Sequence, residues 1–101
     1  MWSNDSSASI RNSVHADAQR VSSFVYVLRS VDGGTTKTYV GWTNDLDRRL
    51  QAHNDGSGAR ATRGRVWELV YAERYVNRGE AMSREWHLKR DRSLRAQLRG
   101  D

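Results

Sequence analysis

Two apolar segments separated by a glycine turn constrain the fold of this chain more than any other feature. Phe24-Val25-Tyr26-Val27-Leu28 is rich in β-branched and aromatic residues and predicts a strand. Asp32-Gly33-Gly34 is a turn signal, and residues 35–41, with Tyr39 and Val40 near their end, predict a second strand. Because the connection is short, we expect the two strands to pair as an antiparallel hairpin.

A helix over residues 45–53 is predicted next, with Thr43 and Asn44 as N-cap candidates and Asp45 and Asp47 in its first turn. Residues 54–65 carry three glycines and three arginines without an apolar run, which predicts a basic loop.

Residues 66–76 predict a third strand, in which Trp67, Leu69 and Tyr71 share one face and Val66, Val70 and Ala72 share the other. Gly79 is expected to end the connection that follows. A second helix is predicted over residues 80–90, and residues 92–99 extend it or form a short third helix. The predicted fold is an α/β sandwich in the order β-β-α-β-α, with a small three-stranded, mostly antiparallel sheet flanked by helices.

The length and composition indicate one small domain. Residues 1–22 are rich in Ser, Asn, Asp and Ala and predict a disordered N-terminal tail, which leaves residues 23–101 as the folded domain. The absence of cysteine excludes disulfides, thiolate metal sites and cysteine nucleophiles. No apolar run reaches the length of a membrane span, and the N-terminus does not resemble a secretory signal, so a cytoplasmic location without a membrane partner is expected.

The charge balance favours a polyanionic partner. The chain has 17 Lys and Arg residues against 12 Asp and Glu residues, a net charge of +5. Nucleic acid is the leading polyanion for a basic domain of this size. No obligate protein partner is implied.

Polar side chains interrupt the apolar faces of both predicted helices. In the first helix Leu46 and Leu50 form the apolar stripe, and Arg49 and His53 flank it. Arg49 can be a snorkelling side chain and His53 a hydrogen-bonded histidine at a helix end, so either residue alone is compatible with a purely structural role. Glu85 lies within the apolar stripe of the second helix, where a carboxylate needs a cationic partner or a metal ion.

The structural alternative for Glu85 is a salt bridge to Arg49 or Lys89. Tyr26 and Tyr39 add two strand tyrosines, which are usually core residues when they occur alone. In combination, tyrosines, an inward arginine, an inward glutamate and a basic surface favour phosphodiester hydrolysis. That reaction needs a base for water, a cation for phosphate and a metal held by a carboxylate.

The order of these motifs resembles the GIY-YIG nuclease family. The resemblance covers roughly residues 23–92 and is carried by Phe24-Val25-Tyr26, Tyr39-Val40-Gly41, Thr43, Leu46, Arg48-Arg49-Leu50, His53-Asn54, Glu80-Ala81-Met82-Ser83-Arg84-Glu85 and Leu88-Lys89. The chain is most similar to small standalone bacterial members and to the nuclease domain of structure-specific junction endonucleases.

The resemblance implies a role for each matching residue. Tyr26 corresponds to the general base or to a residue that orients water, and Tyr39 positions water or phosphate. Arg49 corresponds to the arginine that contacts the scissile phosphate, and His53 to a histidine found near the site in some members. Glu85 corresponds to the sole protein ligand of one divalent ion, Mg²⁺ or Mn²⁺.

The remaining implied contacts are with substrate. Gly41 allows a tight approach, and the other candidate substrate-binding residues are Arg48, Asn54, Arg60, Arg63, Arg65 and Lys89. Two positions depart from the family pattern: Phe24-Val25 replaces Gly-Ile in the first motif, and Trp42 stands where repair nucleases of the family carry a lysine.

The implied function is a metal-dependent endonuclease of DNA repair or processing, with DNA favoured over RNA. One alternative is a nucleic-acid-binding module on the same fold with weak or no catalysis, which would grip phosphates through Arg60, Arg63, Arg65 and the basic C-terminal segment. A third interpretation, a protein-interaction domain, is supported only by the tryptophans.

Overall fold

A computed structural model describes residues 22–100, so the expected N-terminal tail, apart from Ser22, and Asp101 lie outside the described residues. The described elements are β1 (Ser23–Asp32), β2 (Thr35–Thr43), α1 (Leu46–Asp55), a 3-10 helix (Arg60–Thr62), β3 (Glu68–Tyr75), α2 (Arg78–Lys89) and α3 (Arg92–Arg99). The predicted α/β order is confirmed, and residues 92–99 form a separate third helix. None of the helices in residues 22–100 has the length and the apolar composition that spanning a membrane requires.

The three strands form one antiparallel sheet in the order β2-β1-β3. The hairpin between β1 and β2 turns at Gly33 and Gly34, whose φ angles of 59° and 82° are both in the left-handed region. A two-residue turn with positive φ at both positions matches the right-handed twist of the flanking strands, which explains the paired glycines. The resulting register sets Tyr26 opposite Gly41 and Leu28 opposite Tyr39.

Helices cover both faces of the sheet, so the central strand β1 is buried on both sides. On one face Val25, Val27 and Val40 pack with Ala81 and Leu88 of α2. On the other face a second cluster, to which α1 contributes, consists of Tyr26, Leu28, Tyr39, Leu46, Leu50, Trp67, Leu69 and Ala72. The sandwich architecture therefore follows from two separate apolar layers that share β1.

A β-bulge in β3 corrects one prediction about its faces. Leu28 pairs with Leu69 and Val27 pairs with Tyr71, so Val70 is an extra residue without a partner on β1. The extra residue shifts the alternation of side chains by one position. Tyr71 therefore packs on the α2 face beside Val70, whereas Ala72 joins Trp67 and Leu69 on the α1 face. The uninterrupted alternation expected from sequence was wrong for both Tyr71 and Ala72.

Two helix starts also differ from the sequence prediction. Asp45, rather than Thr43 or Asn44, is the N-cap of α1, and its side chain accepts a hydrogen bond from the backbone N–H of Arg48 at 3.1 Å. In α2 the N-cap is Asn77, whose side chain accepts from the N–H groups of Gly79 and Glu80. Gly79 therefore lies inside the first turn, because the capping amide begins the helix before the glycine.

Candidate active site

The hairpin and α1 bring four of the predicted catalytic residues together. Tyr26 of β1 and Tyr39 of β2 lie on the α1 face, with ring centroids 6.4 Å apart. His53, in the last turn of α1, lies 5.0 Å from the ring of Tyr39. The hydroxyl of Tyr26 and Nε2 of His53 form a hydrogen bond of 2.8 Å. Arg49, one turn earlier on α1, places its positive charge beside both tyrosines.

Gly41 makes room for Tyr26. A Cβ atom at this position would lie 2.5 Å from Oη and 2.7 Å from Cζ of Tyr26, and 3.1 Å from Cε2 of Tyr39. Carbon atoms do not approach so closely without displacement, so only glycine fits beside the hydroxyl. The tight approach predicted for Gly41 is therefore made by a side chain of the protein itself.

Burial and the charge of Arg49 shift the pKa of Tyr26 in opposite directions. Burial raises the pKa of Tyr26 to about 12, with smaller contributions in the same direction from Tyr39 and Glu85. The guanidinium of Arg49 opposes this increase because it favours the phenolate. At neutral pH Tyr26 is consequently a phenol that can donate its proton.

His53 is a buried base rather than a surface histidine. His53 is only 1% exposed, and both of its ring nitrogens have hydrogen-bond partners. Burial, followed by the positive charge of Arg49, lowers the pKa of His53 below its ordinary value. The imidazole is therefore neutral near pH 7, so that one ring nitrogen carries a proton and the other has a lone pair that can accept one.

Glu85 lies on α2 with its side chain 21% exposed. Its nearest cation among the described residues is Lys89, whose Nζ is 3.7 Å from Oε2 and whose side chain is 51% exposed. The alternative salt bridge to Arg49 is not formed, and within residues 22–100 the carboxylate accepts no hydrogen bond at standard distances. Glu85 therefore retains lone pairs that can serve a metal ion, and its charge is close enough to act on Tyr26.

The second helix is held by a different carboxylate. Glu73 of β3 accepts hydrogen bonds from Nε of Arg84 at 2.9 Å and from the hydroxyl of Tyr75 at 2.6 Å, and also from Tyr71. Its side chain is 20% exposed, nearly the same as that of Glu85. Because Arg84 directly precedes Glu85, this cluster fixes the turn of α2 that presents Glu85.

A cleft of about 520 Å³ opens between the end of β2 and α1. Arg48 and Arg49 line it together with Trp42, Thr43, Asn44, Asp45, Ala52 and Ser57. Arg48 is exposed, whereas Arg49 lies further inside, beside Tyr26 and Tyr39. The cleft therefore offers two guanidinium groups to an anion, one at the surface and one deeper.

The remaining candidate substrate-binding residues divide into two groups. Arg60 and Arg63 are exposed near the 3-10 helix and are free to meet a polyanion. Arg65 is engaged within the protein, since its guanidinium donates to the carbonyl oxygens of Ser30 and Thr35 at 3.3 and 2.9 Å. The other engaged residues are Asn54, which exchanges two hydrogen bonds with the backbone of Trp67, and Lys89, which lies beside Glu85.

Sequence reasoning missed two residues around His53. Thr62 is fully buried, and its Oγ1 lies 2.8 Å from Nδ1 of His53. Gly58 covers the same ring, since a Cβ there would lie 2.8 Å from Nδ1. Neither residue belongs to a periodic segment, and the only sequence signal was their position in a loop directly after the helix that carries His53.

Comparison with known proteins identifies the family of this chain. The sequence profile of the GIY-YIG catalytic domain matches residues 22–97. A UPF0213 protein of Clostridium perfringens is 47% identical over 68 residues, which are 66% of this chain and 70% of the relative. A UPF0213 protein of Oceanobacillus iheyensis is 43% identical over 67 residues, 65% of this chain and 74% of the relative. No solved structure gives a significant match. With a catalytic-domain match over three quarters of its length, the chain belongs to the GIY-YIG family and is similar to the small bacterial UPF0213 proteins.

Proposed function

We propose that this protein is a metal-dependent endonuclease that hydrolyses phosphodiester bonds of nucleic acid, with DNA favoured over RNA and the cytoplasm as its place of action. The observation that carries the proposal is the 2.8 Å hydrogen bond between Tyr26 and His53 beside Arg49. It combines a route for the proton of water with a cation for phosphate, which are two requirements of the reaction.

The proton route ends on His53. A pKa of about 12 leaves roughly one Tyr26 side chain in 10⁵ ionised near pH 7, so a standing phenolate is scarce. In the proposed step the attacking water gives its proton to Oη of Tyr26, while Tyr26 passes its own proton to Nε2 of His53. The water oxygen forms the new bond to phosphorus, the leaving oxygen departs with the bonding electron pair, and His53 becomes an imidazolium.

Arg49 supplies the cation for the reacting phosphate. Its guanidinium lines the cleft and also lies beside Tyr26, so a phosphate bound there is next to the proton route. Charge that develops on the phosphate oxygens in the transition state is stabilised by this fixed cation. Tyr39 packs against His53 on the same face and is the candidate for orienting the water.

Glu85 is the proposed protein ligand of one divalent ion. Its carboxylate offers hard oxygen ligands without a close hydrogen-bond donor, and Mg²⁺ is commonly bound by one or two carboxylates together with water and substrate phosphate. Within residues 22–100 no group of three or more His, Cys, Asp or Glu side chains is arranged to hold a metal alone, so water and phosphate must complete the coordination. The ion, when bound, would polarise the phosphate and lower the pKa of water.

The test is cleavage of labelled single-stranded, duplex and branched DNA, with the same set in RNA, in Mg²⁺, in Mn²⁺ and in EDTA. We expect cutting of at least one DNA substrate in a divalent ion and none in EDTA. A protein that binds these substrates in a salt-dependent way but cuts none of them is the binding module, and this result would overturn the proposal.

Arg49→Ala and Arg48→Ala form a matched pair for the same assay. Arg49→Ala should lower the single-turnover rate by about 100-fold or more, with affinity reduced only modestly, because its contact is with the reacting phosphate. Arg48→Ala removes the neighbouring exposed guanidinium, so it should weaken binding and reduce the salt slope on duplex by about 0.9, with turnover retained. Normal cutting by bound Arg49→Ala would contradict the assignment.

A further inference from the structure

Nδ1 of His53, which takes no part in the proposed proton route, forms a hydrogen bond with Thr62. Nδ1 lies 2.8 Å from Oγ1 of Thr62, and Nε2 lies 2.8 Å from the hydroxyl of Tyr26. Both His53 and Thr62 are at most 1% exposed, so solvent does not compete for either contact. The two hydrogen bonds hold the ring at both ends.

The direction of these hydrogen bonds follows from the single proton of the Thr62 hydroxyl. Oγ1 of Thr62 donates that proton to the carbonyl oxygen of Ala59 at 2.8 Å. Having given its proton to Ala59, Oγ1 can only accept from His53, which requires the proton of the neutral imidazole to be on Nδ1. Nε2 then carries the lone pair, and the hydroxyl of Tyr26 is the donor.

Thr62 is itself held in place by the chain around it. Its backbone N–H donates to the same Ala59 oxygen at 3.0 Å, and its carbonyl oxygen accepts from Nε1 of Trp67 at 2.8 Å. Gly58 packs against the imidazole, where no side chain would fit. These contacts fix the 3-10 helix so that the hydroxyl of Thr62 lies against Nδ1 of His53.

We propose that Thr62 is a positioning residue that fixes the tautomer of His53 with the proton on Nδ1, so that Nε2 accepts the proton of Tyr26; this role rests on the proposed function. In the opposite tautomer Nε2–H faces Tyr26 and offers no lone pair, and the proton route is interrupted. The hydrogen bond at one ring nitrogen sets which nitrogen carries the proton, and the wrong tautomer in a catalytic histidine can cost several orders of magnitude in rate.

The direct test is long-range ¹H–¹⁵N NMR of the imidazole in the substrate-free protein near neutral pH. His53 is distinguished from the other two histidines by comparison with His15→Gln and His87→Gln. We expect a protonated Nδ1 and an unprotonated Nε2 in the parent and in Thr62→Ser, which keeps the hydroxyl. Thr62→Val keeps the shape but not the hydroxyl, and its spectrum should shift towards the Nε2–H form.

The kinetic test uses the same variants. Thr62→Ser should cut within a few-fold of the parent, whereas Thr62→Val should lose about 100-fold or more in kcat with KM changed only a few-fold. Circular dichroism at the assay temperature verifies that each variant is folded. A parent spectrum with the proton on Nε2 overturns the proposal even if Thr62→Val fails to fold, and so does a folded Thr62→Val that keeps the parent tautomer.

The two tests separate this proposal from the function on which it rests. If the parent cuts no substrate, the proposed function fails, and the spectra alone decide whether Thr62 sets the tautomer. If the parent cuts and the tautomer is as expected, but Thr62→Val turns over at the parent rate, the nuclease assignment stands and the positioning role of Thr62 is wrong.

Discussion

Replacement of Glu85 by glutamine tests whether this carboxylate serves chemistry or structure. Glu85 and Lys89 form an i,i+4 pair of 3.7 Å in which the lysine is half exposed. Such a pair is worth about 0.3–0.5 kcal/mol. For a domain of this size that loss lowers Tm by about 1–4 °C. We therefore expect Glu85→Gln to fold almost as well as the parent.

Glu73→Gln is the matched control, because its side chain has nearly the same exposure and the substitution is identical. Glu73, unlike Glu85, accepts two hydrogen bonds from Arg84, at 2.9 and 3.0 Å, and one from each of Tyr71 and Tyr75. Breaking a fully buried pair of this kind costs about 3–5 kcal/mol. Arg84 keeps a third of its side chain in water, so about 2 kcal/mol is the better expectation, and Tm should fall by about 10 °C.

The assay combines thermal melting with substrate binding and single-turnover cleavage in Mg²⁺. Glu85→Gln should melt close to the parent, bind DNA and fail to cut, because only the metal ligand has been lost. Glu73→Gln should melt early and, at temperatures where it is folded, keep more cleavage than Glu85→Gln, because it weakens the support of α2 without removing the metal ligand. The reasoning is refuted if Glu85→Gln melts as early as Glu73→Gln, which would make Glu85 structural, or if it cuts at the parent rate.

Two further predictions concern stability. Gly41→Ala places a Cβ 2.5 Å from the Tyr26 hydroxyl, so we expect a loss of about 1–3 kcal/mol and of most cleavage, and an alanine variant that melts and cuts like the parent would contradict the packing argument. Burial would raise the pKa of Glu73, but hydrogen bonds from Arg84, Tyr71 and Tyr75 outweigh it and hold that pKa below its ordinary value. The stabilisation is therefore present above about pH 4.3 and is lost as pH falls through the lower folded pKa. Urea unfolding between pH 7 and pH 3 should show this loss in the parent and a smaller one in Glu73→Gln.

The sequence predicted the elements of the fold because their signals are local. The glycine pair of the hairpin, the apolar residues of β1 and the leucine stripe of α1 each act over a few neighbouring residues. Tyr71 was assigned to the wrong face because a bulge depends on pairing with β1, which alternation within β3 does not reveal. The N-caps Asp45 and Asn77 could not be chosen from sequence either, because several nearby polar residues could cap each helix.

In the candidate site, too, some contacts could be predicted from the sequence and others could not. Tyr26, Tyr39, Arg49 and His53 fall on one sheet face and one helix, so their meeting follows from residue spacing, the hairpin register and the packing of α1. Thr62 reaches His53 from a loop, and nothing in the spacing of loop residues specifies that contact. Arg65 was counted among phosphate-binding residues because of its charge. Its hydrogen bonds to Ser30 and Thr35 come from the hairpin end, which is remote in sequence.

The bulge at Val70 also determines where this chain tolerates a change of length. Leu69 and Tyr71 already face opposite sides of the sheet, so deletion of Val70 leaves two regularly paired neighbours that keep their faces. Deletion of Ala72, where pairing is regular, would turn the residues on one side of the gap to the wrong layer. Natural relatives should therefore lose or gain a residue at position 70 more readily than at position 72, and an aligned set of their sequences should open its gap there.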